Sequence, residues 1–141
     1  EHQALITQIT AHFDRKESQA ILDLLPDELL EKEQSAILYA WKGRVYNLFE
    51  NTENTLFYAE KALQKDMLLA LAWFVRGSGW YAQKDWKRAL DDYEKAIELE
   101  PNFSLAYIGR GNILNLKKDW DNKLRQQLKY YNFFNFQKLH L

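Results

Sequence analysis

Apolar residues along this chain recur at steps of three and four, which is the spacing of one helical face. The clearest stretch is Trp73, Gly77, Trp80 and Tyr81, followed by Ala89, Tyr93, Ala96, Ile97 and Leu99. Between the two stretches stands Asp85, whose carboxylate suits an N-cap because it can accept from the free amides of the next turn. Pro101 closes the second stretch. The pattern therefore predicts a pair of helices joined by a tight turn.

That pair is repeated. Gly43, Gly77 and Gly111 are separated by two steps of 34 residues, and moving with them are Tyr39, Trp73 and Tyr107, then Lys42, Arg76 and Arg110. Ala62 pairs with Ala96 at the same interval, and Lys84-Asp85-Trp86 returns whole as Lys118-Asp119-Trp120. The units run 36–69, 70–103 and 104–141. The residues 1–35 carry a weaker copy, with stripes Leu5, Ile9, Phe13 and Ala20, Ile21, Leu24, Leu25 before Pro26 interrupts. In the last unit Lys123, Gln127 and Tyr130 replace the small and aromatic residues of the second helix. From Asp119 a long helix is predicted to about Lys138, with Leu124, Leu128, Tyr131 and Phe134 on one stripe and Tyr130, Phe133 and Phe136 off it.

The pattern Trp73-x-x-Arg76-Gly77-x-x-Trp80, then Ala89-x-x-x-Tyr93, Ala96 and Pro101, resembles the tetratricopeptide repeat, a family with a 34-residue period. Arg76 and Trp80 depart from its signature, which has Leu and Tyr there. The resemblance implies an all-α fold, a right-handed superhelix of antiparallel helix pairs. It would contain about three repeats behind a degenerate N-terminal cap, with a long C-terminal helix, in one domain over 1–141. The physical part stands alone: Gly77 and Ala96 lack bulk, so two helices can cross closely, and stacked pairs bury what one pair cannot.

Composition narrows the function. Only two Pro and five Gly punctuate the chain, which disfavours a meander of strands. A net charge of −1 argues against a phosphate-neutralising face, so no nucleic-acid partner is expected. With no cysteine, thiolate chemistry and thiolate metal sites are excluded. No run of about 18 apolar residues exists, so no membrane insertion is expected. The chain opens Glu1-His2-Gln3 and reads as a segment of a longer protein, with a cytoplasmic home as the expectation.

No constellation for catalysis, metal or cofactor emerges. His2, His12 and His140 lie far apart, and Asp91, Asp92, Glu94, Glu98 and Glu100 alternate with Lys87, Arg88 and Lys95 as a solvated face does. The ladder Lys42, Arg76, Arg110 adjoins the crossing glycines. It reads first as ion pairs within each unit, for example Arg76 with Asp91 or Asp92, and second as a stripe for acidic peptides.

The expected function is therefore a scaffold for another protein and not an enzyme. In the family, the first helix of each pair lines a concave groove. The resemblance places Trp41 and Arg44, then Phe74, Ser78 and Tyr81, then Ile108 and Asn112 in that groove, with Ile37, Ala40, Leu48, Leu71, Val75, Leu105 and Asn115 beside them. A family subgroup clamps the carboxylate of chaperone tails with Lys, Asn and Arg. The matching places here hold Ala40, Arg44, Val75, Leu105 and Gly109, only one of them basic. The groove is thus expected to take an apolar or aromatic segment. The alternatives are self-association through Tyr130, Phe133 and Phe136, making a homo-oligomer, and a docking or regulatory domain of a larger enzyme.

Overall fold

The computed structural model describes residues 2–139, with the side chains at 134–136 and 138–139 outside the description, so Phe136 and His140 are not placed. The described residues form eight helices. They are α1 (Gln3–Asp14), α2 (Ser18–Leu24), α3 (Asp27–Glu33), α4 (Ala36–Leu48), α5 (Thr52–Lys65), α6 (Ala70–Ala82), α7 (Trp86–Leu99) and α8 (Ser104–Leu139). None of them is long and apolar enough to cross a membrane. The pairs α4–α5 and α6–α7 are the two complete units, and α8 opens a third.

The repeat is visible in the backbone as well as in the side chains. Lys16, Glu50 and Lys84 each have a positive φ, of 61°, 57° and 61°, and they stand 34 residues apart. At each turn the left-handed residue donates to a carbonyl three residues back, and the next residue donates five back. These bonds are Lys16 to Phe13 and Glu17 to His12, Glu50 to Asn47 and Asn51 to Tyr46, and Lys84 to Tyr81 and Asp85 to Trp80. This is the Schellman closure of a helix, which satisfies its last free carbonyls. The following residue then caps the next helix in the complete units: Asn51 accepts from the Asn54 amide and Asp85 from the Arg88 amide. Residues 1–35 thus share the turn geometry of the complete units. In 1–35 the second helix is split by Pro26, which sits extended at ψ 151° and starts α3.

Close crossing holds the units together. A Cβ added to Gly43 would lie 3.0 Å from Val75 Cγ1 and 3.1 Å from the Thr55 carbonyl oxygen. At Gly77 it would lie 2.9 Å from the Tyr93 ring and 3.2 Å from Asp92 Cβ. Thr55 stands where the middle unit has Ala89, and its buried hydroxyl is satisfied by the Asn51 carbonyl at 2.8 Å. The most deeply buried side chains are aliphatic, among them Ile9, Ile21, Leu25, Leu30, Leu38, Val45 and Val75. The aromatic residues mainly flank this aliphatic spine; Tyr39, Trp41, Tyr58 and Tyr93 are the buried ones.

Two rungs of the cationic ladder, Lys42 and Arg76, form ion pairs, and not between the same helices each time. Arg76 grips Asp92 on α7 with two bonds of 2.8 and 2.9 Å and reaches Glu60 on α5 at 2.8 Å. Buried Lys42 donates to the Leu25 carbonyl at 2.6 Å and to Asp27 at 2.8 Å, and Tyr58 donates to the same carboxylate. Those bonds, that of Lys42 first, hold the Asp27 carboxyl below its usual value. Lys42 therefore bolts the N-terminal unit to the first complete one. Arg110 lies over the Tyr107 ring at 5.1 Å and has no carboxylate partner among the described residues.

The last unit departs from expectation. The turn predicted at Lys118-Asp119 is absent, and α8 runs unbroken for 36 residues. The local tripeptide repeats, but the surface it would serve does not. A second helix packed as α7 packs on α6 would bring Lys123 and Gln127 to the places of Ala89 and Tyr93, and Tyr130 to that of Ala96. Without small residues the crossing cannot close, and the helix continues straight. Accordingly a Cβ on Gly111 meets nothing within 4 Å.

Two opposite substitutions check this account. Gly77→Ala is expected to cost about 1–2 kcal/mol, because the added methyl overpacks the Tyr93 ring. Gly111→Ala is expected to add about 0.5–1 kcal/mol by restricting the unfolded chain in a helix interior. Urea denaturation measures both, and a destabilised Gly111→Ala would show that something covers that face.

Candidate functional site

The first helices of the units present one continuous groove. Its outer part is a depression of about 220 Å³ bounded by Asn47 of α4, Phe74, Ser78 and Tyr81 of α6, and Leu105, Ile108 and Asn112 of α8. Its inner part, about 150 Å³, is bounded by Phe13, Arg44, Asn47, Leu48, Phe74 and Ser78. Asn47, Phe74 and Ser78 border both, so the two form a single trough.

The floor is aromatic and tightly set. Tyr93 is buried beneath the trough, its ring 5.8 Å from Phe74, while Phe103 meets Phe74 edge-on at 5.5 Å. Gly109 allows this, since a Cβ there would lie 2.6 Å from Tyr93 Cε2. Burial pushes the Tyr93 phenol above its ordinary value. Its hydroxyl lies 3.5 Å from Ser78 Oγ, which itself donates to the Phe74 carbonyl at 3.0 Å. Tyr81 is held edge-on by Trp86 at 5.1 Å.

Arg44 is the charge of the trough. Its guanidinium lies 4.2 Å from the Phe13 ring, 5.0 Å from Trp41 and 6.0 Å from Phe74. Such stacking suits the weakly hydrated, planar guanidinium. Burial lowers its pKa, and the charge of Asp14 pulls it back up, but no carboxylate among the described residues bonds to it. It remains a half-buried cation with unused donors.

Of the seven residues expected in the groove, the structure brings six together: Arg44, Phe74, Ser78, Tyr81, Ile108 and Asn112. The seventh, Trp41, is only 8% exposed and packs edge-on against Phe13 at 5.6 Å. It serves as backing for Arg44, because α1 covers its outer face. Asn47 was missed, although it is the 34-step equivalent of Tyr81; the apolar Leu48 beside it drew the assignment instead. Tyr93 was missed as a groove residue because it lies on the second helix of its pair, and Phe13 because the weak copy in 1–35 reads as a cap. Three of the five carboxylates considered for acid–base work are held in ion pairs: Asp91 with Lys87 at 3.1 Å, Glu98 with Lys95 at 3.3 Å, and Asp92 with Arg76.

Residues 70–103 match the family model of the tetratricopeptide repeat. The chain has the fold of a tetratricopeptide-repeat domain. The solved structures agree on the fold. The tetratricopeptide domain of Sgt2 from Aspergillus fumigatus superposes with a TM-score of 0.71 at 24% identity, covering 86% of this chain and 82% of that one. The first such domain of human RPAP3 gives 0.71 at 18%, covering 85% and 94%. The first domain of Spaghetti (RPAP3), bound to the HSP90 peptide SRMEEVD, gives 0.71 at 18%, covering 84% and 96%. A comparison with curated proteins finds no match. At places where the resemblance would put a carboxylate clamp, this chain buries Ala40 and Val75 completely or nearly so, and Gly109 admits no side chain beside Tyr93.

Proposed function

We propose that this domain is a protein-interaction module that holds an extended, largely apolar or aromatic segment of a partner protein in the trough between α4, α6 and α8. The observation that carries the reading is the trough itself. It has an aromatic floor of Phe74 over Tyr93, an apolar wall at Ile108 and Leu105, and amides at Asn47 and Asn112. Apolar side chains of an extended segment would fill the floor, and the two asparagines can bond its backbone in either direction. Similar folds give support: the Spaghetti domain holds a peptide of HSP90. That peptide is acidic, whereas this trough offers one cation, Arg44, so a single carboxylate within an otherwise apolar segment is the expected complement.

A displayed library of random dodecamers tests this. The domain is expected to select sequences rich in Phe, Leu and Trp, and to bind SRMEEVD more weakly than those. Ile108 is 59% exposed, so Ile108→Asp leaves the core intact while placing a charge on the wall. It is expected to weaken the selected peptides at least about tenfold, the scale of a modest hot spot. Selection of uniformly acidic peptides, or unchanged binding by Ile108→Asp, would overturn the reading.

A further inference from the structure

A separate cleft of about 220 Å³ opens between α3 and α5 and shares no residue with the trough. Asp27 and Glu31 line it from α3, and Lys61 and Lys65 from α5, each pair one helical turn apart. Tyr39 of α4 and Tyr58 of α5, both buried, form its base, with their rings stacked at 6.5 Å. Phe57, 52% exposed, meets Tyr58 edge-on at 5.1 Å. One wall is anionic and the other cationic, yet no ion pair joins them among the described residues. Asp27 engages Lys42 and Tyr58 through Oδ1 alone. Its Oδ2 and the Glu31 carboxylate accept no bond from a described residue.

Tyr39 is only 6% exposed, and its hydroxyl makes no hydrogen bond with any described residue. Among the described residues no fully buried polar atom lacks a partner, so this hydroxyl is reached from the cleft. Burial first, and then the charges of Glu31 and Asp27, push the phenol above its ordinary value. The hydroxyl therefore stands in the field of the acidic wall. Buried hydroxyls are ordinarily satisfied, and this one takes its partner from whatever fills the cleft.

We propose that this cleft binds a small zwitterion, a free α-amino acid, with its ammonium at Glu31, Asp27 Oδ2 and Tyr39 and its carboxylate at Lys61 and Lys65. Charge selects the class. A simple cation would meet Lys61 and Lys65, and a simple anion would meet Glu31 and Asp27. A zwitterion satisfies both walls at once, through hydrogen bonds strengthened by charge. The aromatic base attracts an ammonium group as well, and Phe57 offers an apolar surface to the side chain. The volume falls below the roughly 300–1,000 Å³ of drug-sized pockets, so the occupant is a molecule of about ten non-hydrogen atoms.

Titration of the isotope-labelled full chain with each of the common L-amino acids, followed by amide NMR, tests the proposal independently of the trough. At least one apolar amino acid is expected to bind with a Kd of about 0.1–1 mM, the range open to so small a ligand. Its shifts are expected at α3 and α5 around the cleft and not at the trough. The amine and the acid that each lack one of its charges (isoamylamine and isocaproate for leucine) are expected to bind at least about tenfold more weakly. Tyr39→Phe is expected to weaken binding about three- to tenfold with thermal unfolding unchanged, because the lost hydroxyl bonds no described residue. Glu31→Gln, and Lys61→Gln with Lys65→Gln, are each expected to weaken it at least about tenfold. The proposal is overturned if no amino acid shifts these amides at about 10 mM. It is equally overturned if the half-molecules bind as tightly as the whole, or if Tyr39→Phe and Glu31→Gln bind as the unaltered chain does.

Discussion

Arg76→Ala is expected to lower the unfolding free energy by about 3–5 kcal/mol at neutral pH, the usual penalty for removing one partner of a buried ion pair. Among the described residues Arg76 is the only cation bonded to Asp92, which is 4% exposed. Burial pushes the Asp92 carboxyl above its usual value, and the guanidinium fork pulls it back; the same carboxylate holds Arg76 above its ordinary value. Without Arg76 the desolvation and the nearby Glu60 charge are opposed only by the weaker effect of the Trp80 side chain, so the folded-state pKa of Asp92 rises further above the unfolded one. A group raised in this way costs stability when ionised and ceases to do so as pH falls through its folded pKa. The deficit of the variant is therefore expected to be smaller at about pH 5 than at about pH 7. Asp92→Ala is milder, about 1.5–3 kcal/mol, because Arg76 keeps Glu60 at 2.8 Å and part of its hydration. Chemical denaturation at the two pH values measures all of this. A deficit of Arg76→Ala that does not shrink on acidification would locate its cause in lost packing on Trp73, over which the guanidinium lies at 4.8 Å.

Tyr93→Ala is expected to cost a similar amount, about 3–5 kcal/mol, and to abolish peptide binding with it. The ring is 3% exposed and is the closest neighbour of two glycines on different helices, Gly77 of α6 and Gly109 of α8. Emptying it leaves a void that neither glycine can fill. Tyr93→Phe keeps the ring and loses only the 3.5 Å contact to Ser78, so a change below about 1 kcal/mol is expected. Thermal unfolding compared across the pair separates ring from hydroxyl. A costly Tyr93→Phe would mean that the hydroxyl, not the ring, holds the groove floor.

How much of this was readable beforehand depends on whether a feature is local or shared between elements. The 34-residue step placed Gly43 and Gly77 at their crossings and Asp85 at its cap, because each is dictated within one turn or one helix pair. Trp41 looked like a groove anchor because its helix position is a groove position. Only the placement of α1, which sets Phe13 against it, removes it from the surface. Lys42 was expected to pair within its own unit, but its partner Asp27 comes from the unit before. In the middle unit the equivalent place of Tyr58 is Asp92, and the first unit has no carboxylate there. The repeated Lys118-Asp119-Trp120 promised a turn that did not form. Turn residues permit a break, but a second helix must have a surface to pack on, and Lys123, Gln127 and Tyr130 do not make one.

The open face at Gly111 also divides the molecule by how it moves. In α6 every turn is locked by α5 on one side and α7 on the other, so its amides are released only when the solenoid comes apart. Beyond about residue 116, the described part of α8 is exposed to solvent and held mainly by its own helical bonds. Its amides are released by fraying, one turn at a time, without disturbing the units behind it. The two ends of one continuous helix therefore belong to different cooperative units, with the boundary near the last contact to α7.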